Sequence, residues 1–326
     1  MKKKIMLMIL LSSFFFTGCF KNNDDVSKFV KKVDKAKSYY LSGELEIINN
    51  EDTYYYDVKV SYKDKDYYKV SLKNKTNDHE QIILKNTDGV YVLTPSLNKS
   101  FKFTSEWPHN NSQSYLLQSL VSDIEDDKTK TVKKEKNNII VITKVNYSNN
   151  KKLNSQKIYL KSSMVEKVEV YDKDNNIKIK MTFKNIDLKA KYKKDYFDIK
   201  SNMNVKGLEE TSKSLKDIVY PMYMPKNTYL ASEDKVSTKN GERAILTFLG
   251  DSPFTIIEET VSVSNEIETV NMYGEPALLV DTVGSLSDSG VTWISNGIEY
   301  YATSEVMNET ELLDVIKSIS AMPVSK

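Results

Sequence analysis

Three kinds of side chain in this sequence could do chemistry: one thiol, two imidazoles and a scatter of neighbouring carboxylates. Cys19 is the only cysteine in 326 residues, and His79 and His109 are the only histidines. A hydrolytic or transfer site needs a base that titrates near neutrality, an activated nucleophile or a metal. His79, in NDHEQ, precedes an extended run and is expected at a solvent-facing turn, and His109, in WPHNNSQ, falls in a loop. Neither has a second histidine at ligand spacing, and a zinc site built from carboxylates alone would be unusual. Glu209-Glu210 and Glu258-Glu259 are adjacent pairs, so on strands their side chains would face opposite sides. No catalytic residue, metal or cofactor is expected. That leaves the thiol.

Cys19 sits where an apolar run gives way to polar sequence, in FFFTGCFKNNDD. Lys2, Lys3 and Lys4 precede an apolar segment from Ile5 to Phe16, which is shorter than the ~20 residues a spanning helix needs. A basic start, an apolar middle and small residues before a cut point form a secretory signal. Thr17-Gly18-Cys19 resembles the bacterial lipobox, in which the cysteine sulfur receives a diacylglycerol and the preceding peptide bond is cleaved. Phe16 departs from the usual Leu three residues before the cysteine. Cleavage is expected between Gly18 and Cys19, leaving Cys19 as a lipidated N-terminus. At ~0.8 kcal/mol per buried methylene, two or three acyl chains hold a protein on a bilayer durably. The expected location is the extracytoplasmic face of the cell membrane.

With Cys19 lipidated, no thiol remains for a disulfide, so packing must supply stability. Hydrophobic content of 40%, with 21 Tyr and 11 Phe, is sufficient for folded cores. The net charge of +2 hides an asymmetry: residues 1–207 carry 39 lysines against 26 acidic residues, whereas 208–326 carry eight basic residues against 19 acidic ones. A basic half beside a bilayer is attracted to anionic lipid or wall polymers. Export and the lack of a glycine-rich phosphate loop argue against nucleic acid.

The elements that must position any site are mostly two-fold periodic. A short amphipathic helix starts near Asp24, and then Leu41, Gly43, Leu45 and Ile47 share one face, as do Tyr54, Tyr56, Val58, Val60 and Tyr62. Those are strands, with turns at residues 49–52, 63–66 and 87–89 rich in Asn, Asp and Gly. Strands continue through 81–86, 90–95 and 99–105. Leu116, Leu117, Leu120, Val121 and Ile124 then fall at helical spacing, predicting a helix from Ser114 to Asp126 laid on the sheet. Further strands follow at 138–145, 155–161, 164–172 and 177–183. The pattern predicts a large curved antiparallel sheet with helices on its concave side.

The segments YLSGELEIINNEDTYYYDVKVSY, DGVYVLTPSLNKSFKF and EWPHNNSQSYLLQSLVSDI resemble the LolA/RseB-like lipoprotein family of spore-forming Firmicutes, in its YdcC- and GerS-related branch. The resemblance implies an α+β, mainly β fold: a half-open antiparallel β-barrel with covering helices in 19–200, after the signal peptide 1–18. A smaller α+β C-terminal domain is expected in 201–326, with a hinge near Pro221 and Pro225. Its strands are expected at ERAILTFLG, FTIIEETVSV, TVNMYG, PALLVDTVG, VTWISNG and IEYYATS, and its closing helix at 309–320 with an Asn308/Glu311 capping box.

The resemblance further implies a non-catalytic role in sporulation or spore germination, exercised by binding an envelope protein such as a cortex-modifying amidase. Carriage of an acyl chain or other hydrophobic ligand, and RseB-like regulation of the envelope stress response, stand as alternatives. LolA itself is a soluble shuttle whose cavity lid is fastened by an arginine, whereas this chain has no arginine before Arg243 and is tethered. Candidate groove residues for ligand or partner are Leu116, Leu117, Leu120, Tyr55 and Trp107.

Overall fold

The computed structural model describes residues 22–49, 52–64, 66–147, 150–203, 215, 217–238, 241–261, 266–279 and 281–320. Helix α1 (Asn22–Asp34) leads into an antiparallel meander: β1 (Ser38–Asn49), β2 (Asp52–Lys63), β3 (Tyr67–Asn74), β4 (Glu80–Asn86), β5 (Gly89–Thr94) and β6 (Lys99–Phe103). Helix α2 (Leu117–Asp126) interrupts it, and β7 (Thr131–Glu135), β8 (Asn138–Lys144), β9 (Leu153–Lys161), β10 (Met164–Asp172) and β11 (Ile177–Asp187) complete the N-terminal part. β11 returns to pair with β1, with Leu45 opposite Met181.

Alternation builds the core directly. Leu41, Leu45, Val58 and Val60 point to one face, where α1 contributes Val26, Phe29 and Val33, and α2 contributes Leu117, Leu120, Val121 and Ile124. Each such side chain contributes roughly 1.5–3 kcal/mol on burial. α2 starts three residues later than the periodicity suggests: Tyr115 and Leu116 are buried, but Leu116 has extended backbone angles. On the opposite face, Ile82, Leu84, Tyr91 and Leu93 are covered by Phe197 with Tyr192 and Tyr196. This explains the unbroken apolar runs of β4 and β5, which are buried on both sides.

The C-terminal part holds β12 (Thr228–Thr238), β13 (Gly241–Gly250), β14 (Phe254–Thr260), β15 (Glu268–Met272), β16 (Glu275–Leu278), β17 (Val283–Ser287), β18 (Gly290–Ser295), β19 (Ile298–Thr303) and α3 (Glu309–Ser320). Seven of these strands form a second sheet in the order β12-β13-β14-β19-β18-β17-β16. α3 lays Leu312, Val315, Ile316 and Ile319 over Leu246, Ile256 and Trp293 of one face. Its capping box forms: Asn308 Oδ1 accepts from the Thr310 and Glu311 amides at 3.0 and 3.1 Å, and Glu311 Oε2 accepts from the Asn308 amide at 3.2 Å.

Three features differ from the sequence reading. β12 replaces what reads as featureless chain after the hinge. The run PALLVDTVG is two strands, β16 and β17, whose turn closes with the Leu279 amide donating to the Thr282 carbonyl at 2.9 Å. β15 leaves its neighbours and joins the larger sheet in parallel with β6, Val270 opposite Phe101, making twelve strands with β15 and β7 at the two edges. These edges are not paired with each other among the described residues, so the sheet is open. Gly274 makes the step from β15 into the second sheet, at φ +91° with Leu286 O only 1.9 Å from where a Cβ would sit, a place only glycine fits.

Candidate functional site

The candidate groove residues are not gathered around one opening. Leu116, Leu117 and Leu120 are fully enclosed and Trp107 is 1% exposed, all within the main core. Tyr55 is 41% exposed and lies on the other face of β2 from Tyr54 and Tyr56. The leucine stripe therefore packs the sheet. Gly18 and Cys19 lie outside the described residues.

The histidines are placed differently from each other. His109 is exposed, its Nε2 lying 2.8 Å from Asp66 Oδ1. His79, expected in solvent, is half-buried with Nε2 enclosed and lacking a hydrogen-bond partner. Burial holds its pKa below the usual histidine range, opposed by the charge of Asp281 from the second sheet. The β3–β4 turn tucks against the junction of the two sheets, a contact 200 residues distant in sequence that periodicity cannot show. Glu258 and Glu259 do face opposite sides. Glu259 accepts from Arg243 at 2.6 and 3.0 Å, while Glu258 is wholly buried and receives the Val219 amide at 3.1 Å. Among the described residues no group of three or more His, Cys, Asp or Glu could hold a metal ion, and no helix is long and apolar enough to cross a membrane.

Open space occurs instead at the junction of the two sheets. A cleft of about 450 Å³ is bounded by β1, β9, β11 and the loop before α2 on one side, and by β16 and α3 on the other. Ile47, Ile83, Tyr115, Leu153, Ile179 and Leu278 supply apolar wall. Lys152, Lys173, Lys178 and Lys317 line it together with Asp172, Asp174 and Asp314. Lys152 pairs with Asp314 at 2.6 Å, and Lys178 lies 3.7 Å from Asp172. This volume is within the range of small-ligand pockets.

A second feature is the edge of the C-terminal sheet. β12 is exposed along almost its whole length, and the apolar side chains beside it are open to solvent: Met222 (72%), Tyr229 (60%), Tyr223 (50%), Leu249 (46%), Tyr220 (42%) and Leu230 (40%). The segment carrying the first of these is pinned. The Val219 amide donates to Glu258, the Tyr223 amide to Ser318 Oγ at 3.0 Å, and the Tyr220 hydroxyl to Glu233. In sequence YPMYMP reads as a hinge because its prolines speak for a break, while nothing local reveals what holds it.

An open sheet lined by helices and continued into a smaller α+β unit makes this an α+β protein that is mainly β. The chain belongs to the YdcC-like sporulation protein family: the model for "Sporulation protein YdcC-like" matches residues 2–197. It is 32% identical over 328 residues to Sporulation protein YdcC of Bacillus subtilis (strain 168), covering 98% of this chain and 97% of that one. Similar solved structures include a chain of the complex between the CwlD amidase from Clostridioides difficile and the GerS lipoprotein, at 19% identity and a TM-score of 0.30, covering 59% of this chain and 100% of that one. Another is the LolA superfamily protein NE2245 from Nitrosomonas europaea, at 8% identity and a TM-score of 0.31, covering 54% and 96% respectively.

Proposed function

We propose that this sporulation-family protein is a non-catalytic lipoprotein, anchored through Cys19 on the extracytoplasmic face of the membrane, that binds an envelope protein. The observation that carries the reading is the pinned apolar edge of the C-terminal sheet. An exposed strand edge offers unpaired backbone groups for β-augmentation, and the Met and Tyr side chains flanking β12 are types enriched in protein interfaces. The excess of acidic residues in 208–326 favours a partner with a basic rim around its own apolar patch. A cortex-modifying amidase is the partner class to test, following from the sequence resemblance.

The test mixes the full chain, reconstituted in lipid nanodiscs, with a purified cortex amidase and measures both complex formation and amidase activity. Binding that is lost in the double variant Met222→Glu and Tyr223→Glu supports the reading. These side chains are solvent-exposed, so their replacement leaves thermal unfolding unchanged. Undiminished binding by the variant, or no binding by the parent, refutes it.

A further inference from the structure

The polar side of α2 faces a recess of its own. Leu117, Leu120, Val121 and Ile124 turn toward the core, while Gln118, Ser119, Ser122 and Asp126 stand across a space of about 140 Å³ from the loop of residues 108–112. A cavity near that volume holds about one six-membered ring. The loop is fastened on both sides. Asn110 and Asn111 donate from their side-chain amides to the Glu275 carboxylate. The Ser112 amide donates to the Asn146 carbonyl at 2.8 Å, and Ser112 Oγ accepts the Asn146 amide at 2.8 Å and donates to Asp123 Oδ1 at 2.7 Å. Walls fixed in advance ask little further ordering of a ligand.

The lining narrows what could sit there. Among the described residues no lysine or arginine borders the recess, whereas Asp123 and Asp126 do. Burial pushes the Asp123 carboxyl up to about 6, hydrogen bonds from Ser112 and Gln156 oppose the rise, and the charge of Asp126 adds to it. An anion would add to a repulsion that already exists. Apolar lining is limited to Tyr68, Pro108 and Leu116, so a hydrocarbon would strand the surrounding amides and hydroxyls without partners. Those groups both donate and accept. Ser119 Oγ accepts the Gln113 amide at 2.7 Å and keeps its proton to give, and Ser122 Oγ donates at 3.0 Å to only one of the two Asp126 oxygens. Beside them the rings of Pro108 and His109 form a short flat wall, His109 standing edge-on to Tyr68 with centroids 6.4 Å apart.

We propose that the recess between the 108–112 loop and the polar side of α2 binds one pyranose sugar that carries no negative charge, its C–H face against Pro108 and His109 and its hydroxyls toward Ser119, Ser122, Asp126 and Asn146. A pyranose has hydroxyls around its edge and C–H groups on its face, and so meets both kinds of wall at once. A free sugar and a terminal unit of a glycan present the same ring to these residues.

The experiment is saturation-transfer NMR on the full chain in phosphatidylcholine nanodiscs, with empty nanodiscs as the blank. The probes are the methyl β-glycosides of glucose, glucosamine and N-acetylglucosamine, the methyl glycoside of glucuronate, and the trisaccharide of N-acetylglucosamine. At least one of the first three should receive saturation on its ring protons, and the best of them identifies the substituent at the second carbon. The glucuronide should bind at least roughly tenfold more weakly than the best neutral or cationic glycoside, since it sets a third carboxylate beside two others. Tighter binding of the trisaccharide points to a glycan and equal binding to a free sugar; either supports the site. Ser122 and Asp126 are exposed on α2, so Ser122→Trp and Asp126→Ala should leave the thermal transition in place. Ser122→Trp, which fills the recess, should abolish the signal, and Asp126→Ala should weaken binding about tenfold through loss of a charge-assisted hydrogen bond. No saturation of any of the three glycosides, equal binding of the glucuronide, or parent-like binding by either variant would overturn the proposal. Neither the anchor nor the β12 edge takes part, so the outcome here is separate from that of partner binding.

Discussion

The side-chain amide of Gln81 makes to Val283 the two hydrogen bonds that a neighbouring strand would make: Nε2 donates to the Val283 carbonyl at 3.1 Å, and Oε1 accepts the Val283 amide at 2.5 Å. Thr282 Oγ1 donates to the same oxygen at 2.9 Å. Gln81 is 4% exposed, so this clamp between the two sheets works without water. Truncation would leave a buried amide and carbonyl unsatisfied, at about 1–3 kcal/mol for each orphaned group. Gln81→Ala is therefore expected to lower stability in urea unfolding by roughly 2–4 kcal/mol. A loss below about 1 kcal/mol would mean that the clamp is dispensable.

Leu120 distinguishes a core-filling α2 from a ligand lid. A fully enclosed leucine replaced by alanine loses transfer energy and leaves a cavity, a change of about 2–5 kcal/mol. Leu120→Ala should show a loss of this size by chemical denaturation. A loss below about 1 kcal/mol would mean that α2 is not filling the core and would leave the concave face beneath it open to a ligand.

The ease of reading differs from element to element for physical reasons. β1 and β2 each bury one face, so alternation announces them, and Asn308 with Glu311 marks the start of α3 within four residues of sequence. β12 carries no such signal because it is exposed on both faces; a strand that buries nothing has no hydrophobic period. TVNMYG reads correctly as a strand, but its partner Lys99–Phe103 lies far upstream and in parallel, a pairing no local pattern encodes. The junction cleft is hidden for the same reason. Lys152, Lys173, Lys178 and Lys317 are ordinary members of a lysine-rich chain until the turns before β9 and β11, β11 itself and α3 bring them together. The leucine stripe of α2 carries the opposite hazard, since a strong helical period announces burial and says nothing about what does the burying.

Cys19 is the one site residue for which sequence alone supplies a reaction. Cys19→Ala removes the thiol proposed to accept a diacylglycerol, and with it the membrane affinity that such an anchor would add at ~0.8 kcal/mol per methylene. Cells fed labelled palmitate should incorporate label into the parent chain and none into the variant. An unlabelled parent chain would remove the anchor from the proposed function while leaving the β12 edge to be tested on its own.

Glu258 makes the stability of the C-terminal sheet depend on pH. It is wholly buried on β14, and burial pushes its carboxyl from the ordinary 4.5 up to about 7, the Val219 amide opposing and the charge of Glu233 adding to the rise. Between those values the native chain holds a proton that the unfolded chain has released. This contribution is fully present below pH 4.5 and is lost as pH rises through about 7. At ~1.4 kcal/mol for each tenfold change in proton affinity, the loss is up to about 3 kcal/mol. Glu258→Gln keeps an oxygen for the Val219 amide but has no proton to lose, so it should be the more stable protein at pH 8 and close to the parent at pH 5. Urea midpoints at the two pH values measure this directly. If the gap between parent and variant stays constant with pH, the carboxyl ionises in the native state as freely as in the unfolded one, and burial of β14 does not control it.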